Sequence, residues 1–200
     1  MDSFIKETEG IYRLRIPFDT VYTSVFLIVA DEGSALVDCA TTADDVDGYI
    51  VPALAKLGYS LTDIKYTVLT HSHADHAGGY ARVSELAPSM VAVTDERELF
   101  LGISTYAIPG HTVDFIGVFD ERSGTLISGD GLQGAGVDKD RTSTKDAAAY
   151  LRSLEKIRRD GRVENLLFSH AYEPWFTDRI FGRDGVLECI EECKKYVEQS

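Results

Sequence analysis

Long apolar runs are absent from this chain of 200 residues. The longest lies near Val25–Ala30, far short of the roughly 20 residues that a membrane-spanning helix needs. The first ten residues contain three acidic side chains and lack the apolar centre that a secretory signal has. We therefore expect a soluble, cytoplasmic protein that makes no contact with a membrane.

Cysteine is scarce as well, and three residues do not build a disulfide framework. Cys189 and Cys193 are four positions apart in a predicted helix, which places them on one face, one turn apart. The sequence offers no further ligands beside this pair for a zinc ion, so we expect two small buried side chains. Cys39 is expected to be buried too.

Basic residues are outnumbered, since 20 lysines and arginines stand against 33 aspartates and glutamates, for a net charge of −13. Nucleic-acid binding draws its affinity from basic residues that neutralise phosphates. No basic run is longer than a pair such as Arg158-Arg159. We therefore expect no nucleic-acid partner and a small molecule as the substrate, while the sequence leaves the oligomeric state open.

Low-complexity segments, internal repeats and linkers are also lacking. Hydrophobic residues make up 44% of the chain and aromatic residues 10%, which excludes a disordered polymer. The length fits one compact domain. We therefore predict a single domain that covers residues 1–200.

Apolar patterns predict strand pairs that alternate with helices. Turn signals at Asp31–Gly33 and Asp120–Gly124 each predict a hairpin. The predicted strands are Ile11–Pro17, Ser24–Ala30, Ser34–Asp38, Lys65–Thr70, Met90–Thr94, Thr112–Phe119, Thr125–Ser128 and Asn165–Ser169. The predicted helices are Ala43–Leu57, Gly78–Leu86, Lys145–Arg158 with Thr144 as N-cap, and Asp184–Glu198. Two β-rich blocks with helices indicate a layered α/β protein that has two sheets inside and helices outside.

Three of the five histidines lie within six residues, in the order His-x-His-x-Asp-His. His71 and His73 are two positions apart on an extended segment, so their side chains point the same way. Asp75 and His76 fall in a predicted loop, which can aim them toward a second ion. Imidazole and carboxylate groups are good ligands for zinc, iron and manganese, so the cluster predicts a metal site.

The other two histidines, His111 and His170, each follow a strand or a short apolar run and stand beside turn residues. Loops that emerge from sheet ends are the usual place for chemistry on an α/β scaffold. Either residue alone would be interpreted as an ordinary loop histidine, and only the complete set makes them candidate ligands.

Five segments together resemble the motifs of the metallo-β-lactamase-fold hydrolases, over essentially the whole length of the chain. These segments are Asp38 at the end of Ala35–Asp38, the central motif Thr70–Gly79, Pro109–Thr112, Ser128–Asp130 and Ser169-His170. The resemblance implies an αββα sandwich in a single domain, with a site for two metal ions at one edge.

The resemblance also implies a role for each matching residue. His71, His73 and His111 would hold the first ion. Asp75, His76 and His170 would hold the second, and Asp130 would bridge the two. Asp38 would form hydrogen bonds to the central motif and orient it, as residues that contact metal ligands do.

Asp130, rather than a cysteine, at the bridging position indicates glyoxalase II, lactonases and related thioesterases. The chain departs from both named groups. The sequence after His170 leaves little room for the helical region that glyoxalase II has there, and Gly131–Gly134 stands where lactonases have a tyrosine.

The implied activity is hydrolysis of a thioester, lactone or ester of a small molecule. Two divalent ions, with zinc expected and iron or manganese as alternatives, would hold a hydroxide that attacks the carbonyl. Asp75 would be the catalytic residue that orients this hydroxide and moves its proton. Tyr172 and Trp175 are candidate walls of the substrate pocket, with core packing as the alternative.

Two further functions stay open. The first is a mononuclear iron persulfide dioxygenase on the same fold, which would use His71, His111 and Asp130 as ligands. The second is a metal-binding or partner-binding module without catalysis.

Overall fold

The structure, a computed structural model, describes residues 3–132, 145–171 and 177–198, apart from the side chain of residue 198. The chain divides into two compact units. The first comprises Met1–Thr94 and Leu99–Leu101, and the second comprises Asp95–Glu98 and Gly102–Ser200.

The first unit is built on a sheet of six strands that lie side by side in chain order. The strands are β1 (Ile5–Thr8), β2 (Ile11–Phe18), β3 (Val21–Ala30), β4 (Gly33–Val37), β5 (Tyr66–Val68) and β6 (Val91–Val93). The first four pair antiparallel, and β4, β5 and β6 pair parallel. The hairpin predicted at residues 31–33 is confirmed as the β3–β4 connection. Strand β1 was not predicted.

One face of this sheet packs on helices. Alternate residues of β2 and β3, such as Leu14 and Leu27, are fully buried in a core with Leu54 of the helical layer. The helical layer contains α1 (Ala43–Asp45), a π-helical turn (Val46–Ile50), α2 (Val51–Lys56), a 3₁₀ turn (Leu61–Asp63), α3 (Ala74–Ala77) and α4 (Tyr80–Leu86). The predicted helix Ala43–Leu57 is therefore present, with a π-helical turn inside it.

The predicted helix Gly78–Leu86 is present as α4, which begins at Tyr80. The predicted loop before it needs a correction, because Asp75 and His76 lie in the short helix α3. Gly78 and Gly79 lie between α3 and α4. A Cβ atom on Gly78 would lie 2.0 Å from the carbonyl oxygen of Thr41, and one on Gly79 would lie 2.1 Å from that of Cys39. Only glycine allows this segment to approach the backbone of residues 39–41 so closely.

The sheet of the second unit contains β8 (Ile103–Ala107), β9 (Ile116–Asp120), β10 (Thr125–Ile127), β11 (Asn165–Leu167) and β12 (Arg179–Phe181) in the order β12-β11-β10-β9-β8. Strands β10 and β11 pair parallel, and the other pairs are antiparallel. The predicted β9–β10 hairpin is confirmed. Strand β9 begins at Ile116 rather than at Thr112, because residues 112–115 belong to the preceding loop. Strands β7 (Glu98–Phe100), β8 and β12 were not predicted.

Two long helices cover this second sheet. They are α5 (Ala147–Arg159) and α6 (Arg183–Glu198). The carboxylate of Asp146 caps α5 by accepting the backbone N–H of Ala149 at 2.8 Å. The predicted cap, Thr144, lies outside the described residues. The predicted burial of Cys189 and Cys193 is confirmed, since both lie fully buried in the core of this unit.

None of the helices within the described ranges is both long enough and apolar enough to cross a bilayer.

Candidate metal centre

The first unit contributes four of the candidate ligands, from the segment that follows β5. The rings of His71 and His73 meet edge to face with their centroids 4.5 Å apart and their planes at 73°. One ring nitrogen of His71 and one of His73 lie within 4.8 Å of each other. The extended segment thus turns both imidazoles to the same side.

Helix α3 positions the next two candidates. His76 is fully buried, and its Nε2 lies 3.2 Å from Oδ2 of Asp75. The Asp75 side chain is 15% exposed, so it faces partly toward solvent. The short helix thus places an imidazole nitrogen and a carboxylate oxygen, two candidate metal-ligand atoms, next to each other.

Asp38 lies behind these ligands, directly after β4. Its carboxylate accepts the backbone N–H of Thr70 at 2.9 Å and the Thr70 hydroxyl, and it lies 2.8 Å from Nδ1 of His76. Asp38 has φ +63 and Ala40 has φ +58. Non-glycine residues in this left-handed region cost of order 1–3 kcal/mol each, and such strain clusters at functional sites.

Backbone hydrogen bonds hold the strained residues against α3. The N–H of Cys39 donates to the carbonyl of His76 at 2.7 Å, and the N–H of Gly79 donates to the carbonyl of Ala40 at 3.1 Å. The chain segment after β4 thereby fixes the C-terminal end of α3. Asp38 is brought into contact with the central motif, as its proposed orienting role requires.

The second unit contributes three candidates, each from a loop after a strand. His111 follows β8, and Asp130 lies in a 3₁₀ turn (Gly129–Leu132) directly after β10. His170 follows β11. Because β10 and β11 are parallel neighbours, their carboxyl ends lie at one edge of the sheet and bring Asp130 and His170 together.

Asp130 faces two histidines, one with each carboxylate oxygen. Its Oδ1 lies 3.4 Å from Nε2 of His170, and its Oδ2 lies 3.6 Å from Nε2 of His111. All three side chains are buried. A carboxylate in this arrangement can offer one oxygen to each of two ions.

Within each unit, the candidate ligand atoms are separated by the distances expected for atoms that share a divalent metal ion. Two ligand atoms that each lie about 2.1 Å from one ion in tetrahedral geometry are separated by about 3.4 Å. The Asp75–His76, Asp130–His170 and Asp130–His111 separations of 3.2, 3.4 and 3.6 Å agree with this value. The last two exceed the 2.7–3.2 Å that is usual for an N–H···O hydrogen bond. Imidazole nitrogen and carboxylate oxygen are donors that zinc, iron and manganese accept.

Cys39, which follows Asp38 in the chain, is not a candidate metal ligand. Cys39 is fully buried, as predicted, and burial raises its pKa to about 12. Its sulfur lies 3.4 Å from the hydroxyl of Thr67. The thiol therefore stays protonated near neutral pH, whereas the nucleophilic and metal-binding form is the thiolate.

Two predicted pocket residues and one missed residue complete the description of the site. Tyr172 and Trp175 lie outside the described residues. Thr70 was quoted only as part of the central motif, yet its hydroxyl contacts both Asp38 and His71. Its position directly before the first histidine was the one signal in the sequence.

Comparison of the sequence with known proteins supports the resemblance. The family model of the metallo-beta-lactamase superfamily matches residues 18–101. A beta-lactamase-like protein 2 homolog from Caenorhabditis elegans is 27% identical over 164 residues, which cover 71% of this chain and 54% of the worm protein. A hydroxyacylglutathione hydrolase from Pseudomonas savastanoi pv. phaseolicola is 32% identical over 145 residues, which cover 58% of this chain and 54% of that enzyme. The chain spans about half the length of these curated relatives.

Comparison of the structure with solved structures gives the fold. The metallo-beta-lactamase FIM-1 from Pseudomonas aeruginosa, in its mono-zinc form, superimposes with a TM-score of 0.76 at 18% identity, over 98% of this chain and 95% of that chain. A metallo-beta-lactamase from Erythrobacter litoralis gives a TM-score of 0.72 at 21% identity, over 98% and 96%. At these identities the likeness shows the fold alone, and it confirms the predicted αββα sandwich.

Proposed function

Since the chain has the metallo-β-lactamase fold and its residues 18–101 match the model of that superfamily, we propose that it is a metal-dependent hydrolase with two divalent ions. Its substrate is a small molecule with a thioester, lactone or ester bond. The observation that carries the proposal is the placement of Asp130, whose two oxygens face two different histidines at 3.4 and 3.6 Å.

The proposed ligand set uses all five histidines of the chain. As the resemblance implies, one ion would be held by His71, His73 and His111 and the second by Asp75, His76 and His170, and Asp130 would bridge them. Within each unit the separations between donor atoms support this assignment, because they match those of atoms that share one ion.

Bound ions supply Lewis acidity toward the carbonyl oxygen and lower the pKa of a water molecule. The chain itself positions the reacting groups. Asp38 contacts Nδ1 of His76 and so leaves Nε2 as the atom that can ligate an ion. Asp75, which is partly exposed, orients the attacking water and accepts its proton at a carboxylate oxygen. Because the attacking group is water, this route needs no protein nucleophile such as the buried thiol of Cys39.

Two features favour a thioester as the first substrate to test. Asp130 would take the bridging position, where the zinc β-lactamases of this superfamily have a cysteine. Several relatives at 29–32% identity are named hydroxyacylglutathione hydrolase, and their name gives the class of compound with which to begin.

The test is a hydrolysis assay on a panel of acyl-glutathione thioesters, lactones and carboxylic esters. We expect turnover of at least one class, and a loss of at least about 100-fold in kcat/KM for His170→Ala, because a ligand of the second ion is removed. Asp114→Asn is the matched control, since Asp114 is exposed in the loop that contains His111. It should retain the activity of the unaltered chain.

Two results would overturn the proposal. One is full activity in the His170→Ala variant. The other is a protein that leaves the whole panel intact while consuming oxygen with a persulfide, which would establish the dioxygenase instead.

A further inference from the structure

Thr70 lies between the carboxylate of Asp38 and the ring of His71. It is buried, with 1% of its surface exposed. Its hydroxyl oxygen is 2.9 and 3.0 Å from the two oxygens of Asp38 and 3.0 Å from Nδ1 of His71. The backbone N–H of Thr70 also donates to Asp38, which fixes the residue in this position.

The directions of these hydrogen bonds follow from a count of hydrogens. A hydroxyl carries one hydrogen, and an ionised carboxylate can only accept. The hydrogen of Thr70 therefore points to Asp38. The remaining contact, to Nδ1 of His71, must then be one in which the imidazole donates and the hydroxyl oxygen accepts.

The reverse arrangement is unfavourable. If the hydroxyl donated to Nδ1 of His71, its lone pairs would face the carboxylate oxygens of Asp38 at 2.9–3.0 Å. Negative charge would then oppose negative partial charge in a buried place, where electrostatic interactions are strong.

We propose that Thr70 is a positioning residue that holds His71 in the tautomer with the proton on Nδ1. The lone pair of His71 is then on Nε2, the nitrogen that remains for an ion. Asp38 thus directs two imidazoles, His76 by direct contact and His71 through the Thr70 hydroxyl. The inference rests on the proposed function only in so far as His71 is a ligand.

The first measurement is the tautomer itself, in the metal-free, ¹⁵N-histidine-labelled chain. Long-range ¹H–¹⁵N correlation spectra distinguish a protonated Nδ1 from a protonated Nε2, and the His71→Gln variant assigns the signals. We expect Nδ1–H in the unaltered chain and in Thr70→Ser, which keeps the hydroxyl. In Thr70→Val, which has a similar shape but no hydroxyl, the Nε2–H form should appear.

The second measurement is zinc affinity, by competition with a chelator of known affinity. We expect the dissociation constant to rise about 10- to 100-fold in Thr70→Val, the usual effect of losing a partner behind a metal ligand. Thr70→Ser should stay near the unaltered value. Thr67→Val is the matched control, because Thr67 is equally buried in β5, the strand that precedes Thr70, and its hydroxyl contacts Cys39.

The outcomes separate this inference from the proposed function. An Nε2–H tautomer in the unaltered chain, or a Thr70→Val variant that binds zinc as tightly as Thr67→Val, would overturn the role of Thr70. Unchanged zinc binding by His71→Gln would instead remove His71 from the ligand set, and with it the proposed function. If Thr70→Val does not fold, the tautomer of the unaltered chain and of Thr70→Ser still decides.

Discussion

The carboxylate of Asp38 lies 2.8 Å from Nδ1 of His76, and both side chains are buried. The two residues are 38 positions apart, so the contact joins the end of β4 to α3. A carboxylate can only accept a hydrogen bond here, and therefore Nδ1 of His76 carries a proton. In the neutral imidazole the lone pair is then on Nε2. The contact determines which nitrogen of His76 is available to ligate a metal ion.

Replacement of Asp38 by asparagine should weaken metal binding without unfolding the chain. Asparagine tolerates the left-handed conformation at φ +63, so the backbone should be retained. The amide has no charge and can donate as well as accept, so the tautomer of His76 is no longer fixed. We expect zinc affinity to fall about 10- to 100-fold, measured by chelator competition, with a thermal unfolding midpoint close to that of the unaltered chain. Unchanged affinity in a folded Asp38→Asn variant would contradict this role.

Two glycine-to-alanine substitutions should have opposite effects on stability. In Gly79→Ala the new Cβ would lie 2.1 Å from the carbonyl oxygen of Cys39. This oxygen belongs to the backbone, so relieving the clash requires an unfavourable shift of the main chain. Gly48→Ala, in the π-helical turn after α1, meets nothing within 4 Å. We expect Gly79→Ala to lose at least about 3 kcal/mol or to fail to fold, and Gly48→Ala to gain about 0.5–1 kcal/mol.

Denaturant unfolding monitored by circular dichroism measures both free energies. If Gly79→Ala proved as stable as Gly48→Ala, the close contact between the segment after β4 and the central motif would be refuted.

Acid should remove one stabilising interaction on α5. Hydrogen bonds from Arg158 and Arg159 lower the pKa of the Glu155 carboxyl to about 2. A group whose pKa is lower in the folded state stabilises above its unfolded pKa, and this contribution is lost as the pH falls. The stability difference between the unaltered chain and Glu155→Gln should therefore be constant near neutral pH and decline between about pH 4.5 and pH 2.

Thermal unfolding midpoints across this pH range measure the difference. Glu188→Gln, an exposed glutamate of α6, provides the baseline. A difference that grew toward pH 2 would have the wrong sign for this interaction.

The central motif could be predicted because its chemistry is compressed into a few consecutive positions. His-x-His-x-Asp-His is rare by chance, and the residues around His111, Asp130 and His170 complete the resemblance at the ends of strands. The hairpin at residues 31–33 was likewise predictable, because a turn signal separates two apolar strands.

Elements that depend on distant partners were harder to predict. Strand β12 has three residues, two of them exposed, and it exists because it pairs with β11. Helix α3 has four residues, too few for a helical period to be visible in the sequence. Its position is set by Gly78, Gly79 and the segment after β4, which come together only in the folded chain.

The role of Thr70 could not be predicted for the same reason. Its hydroxyl gains significance from Asp38, which is 32 positions away in the sequence. The N-cap of α5 is a different case, since Thr144 and Asp146 are both acceptable cap residues and only the structure shows that Asp146 caps the helix.

The number of metal ions per chain tests the central claim most directly. Elemental analysis would be made on protein expressed in medium that contains both zinc and iron, for the unaltered chain and for Asp130→Asn. Because each oxygen of Asp130 faces a different histidine, the account predicts about two ions per unaltered chain and a clear loss in the variant. A single iron per chain, or two ions retained in full by Asp130→Asn, would contradict it.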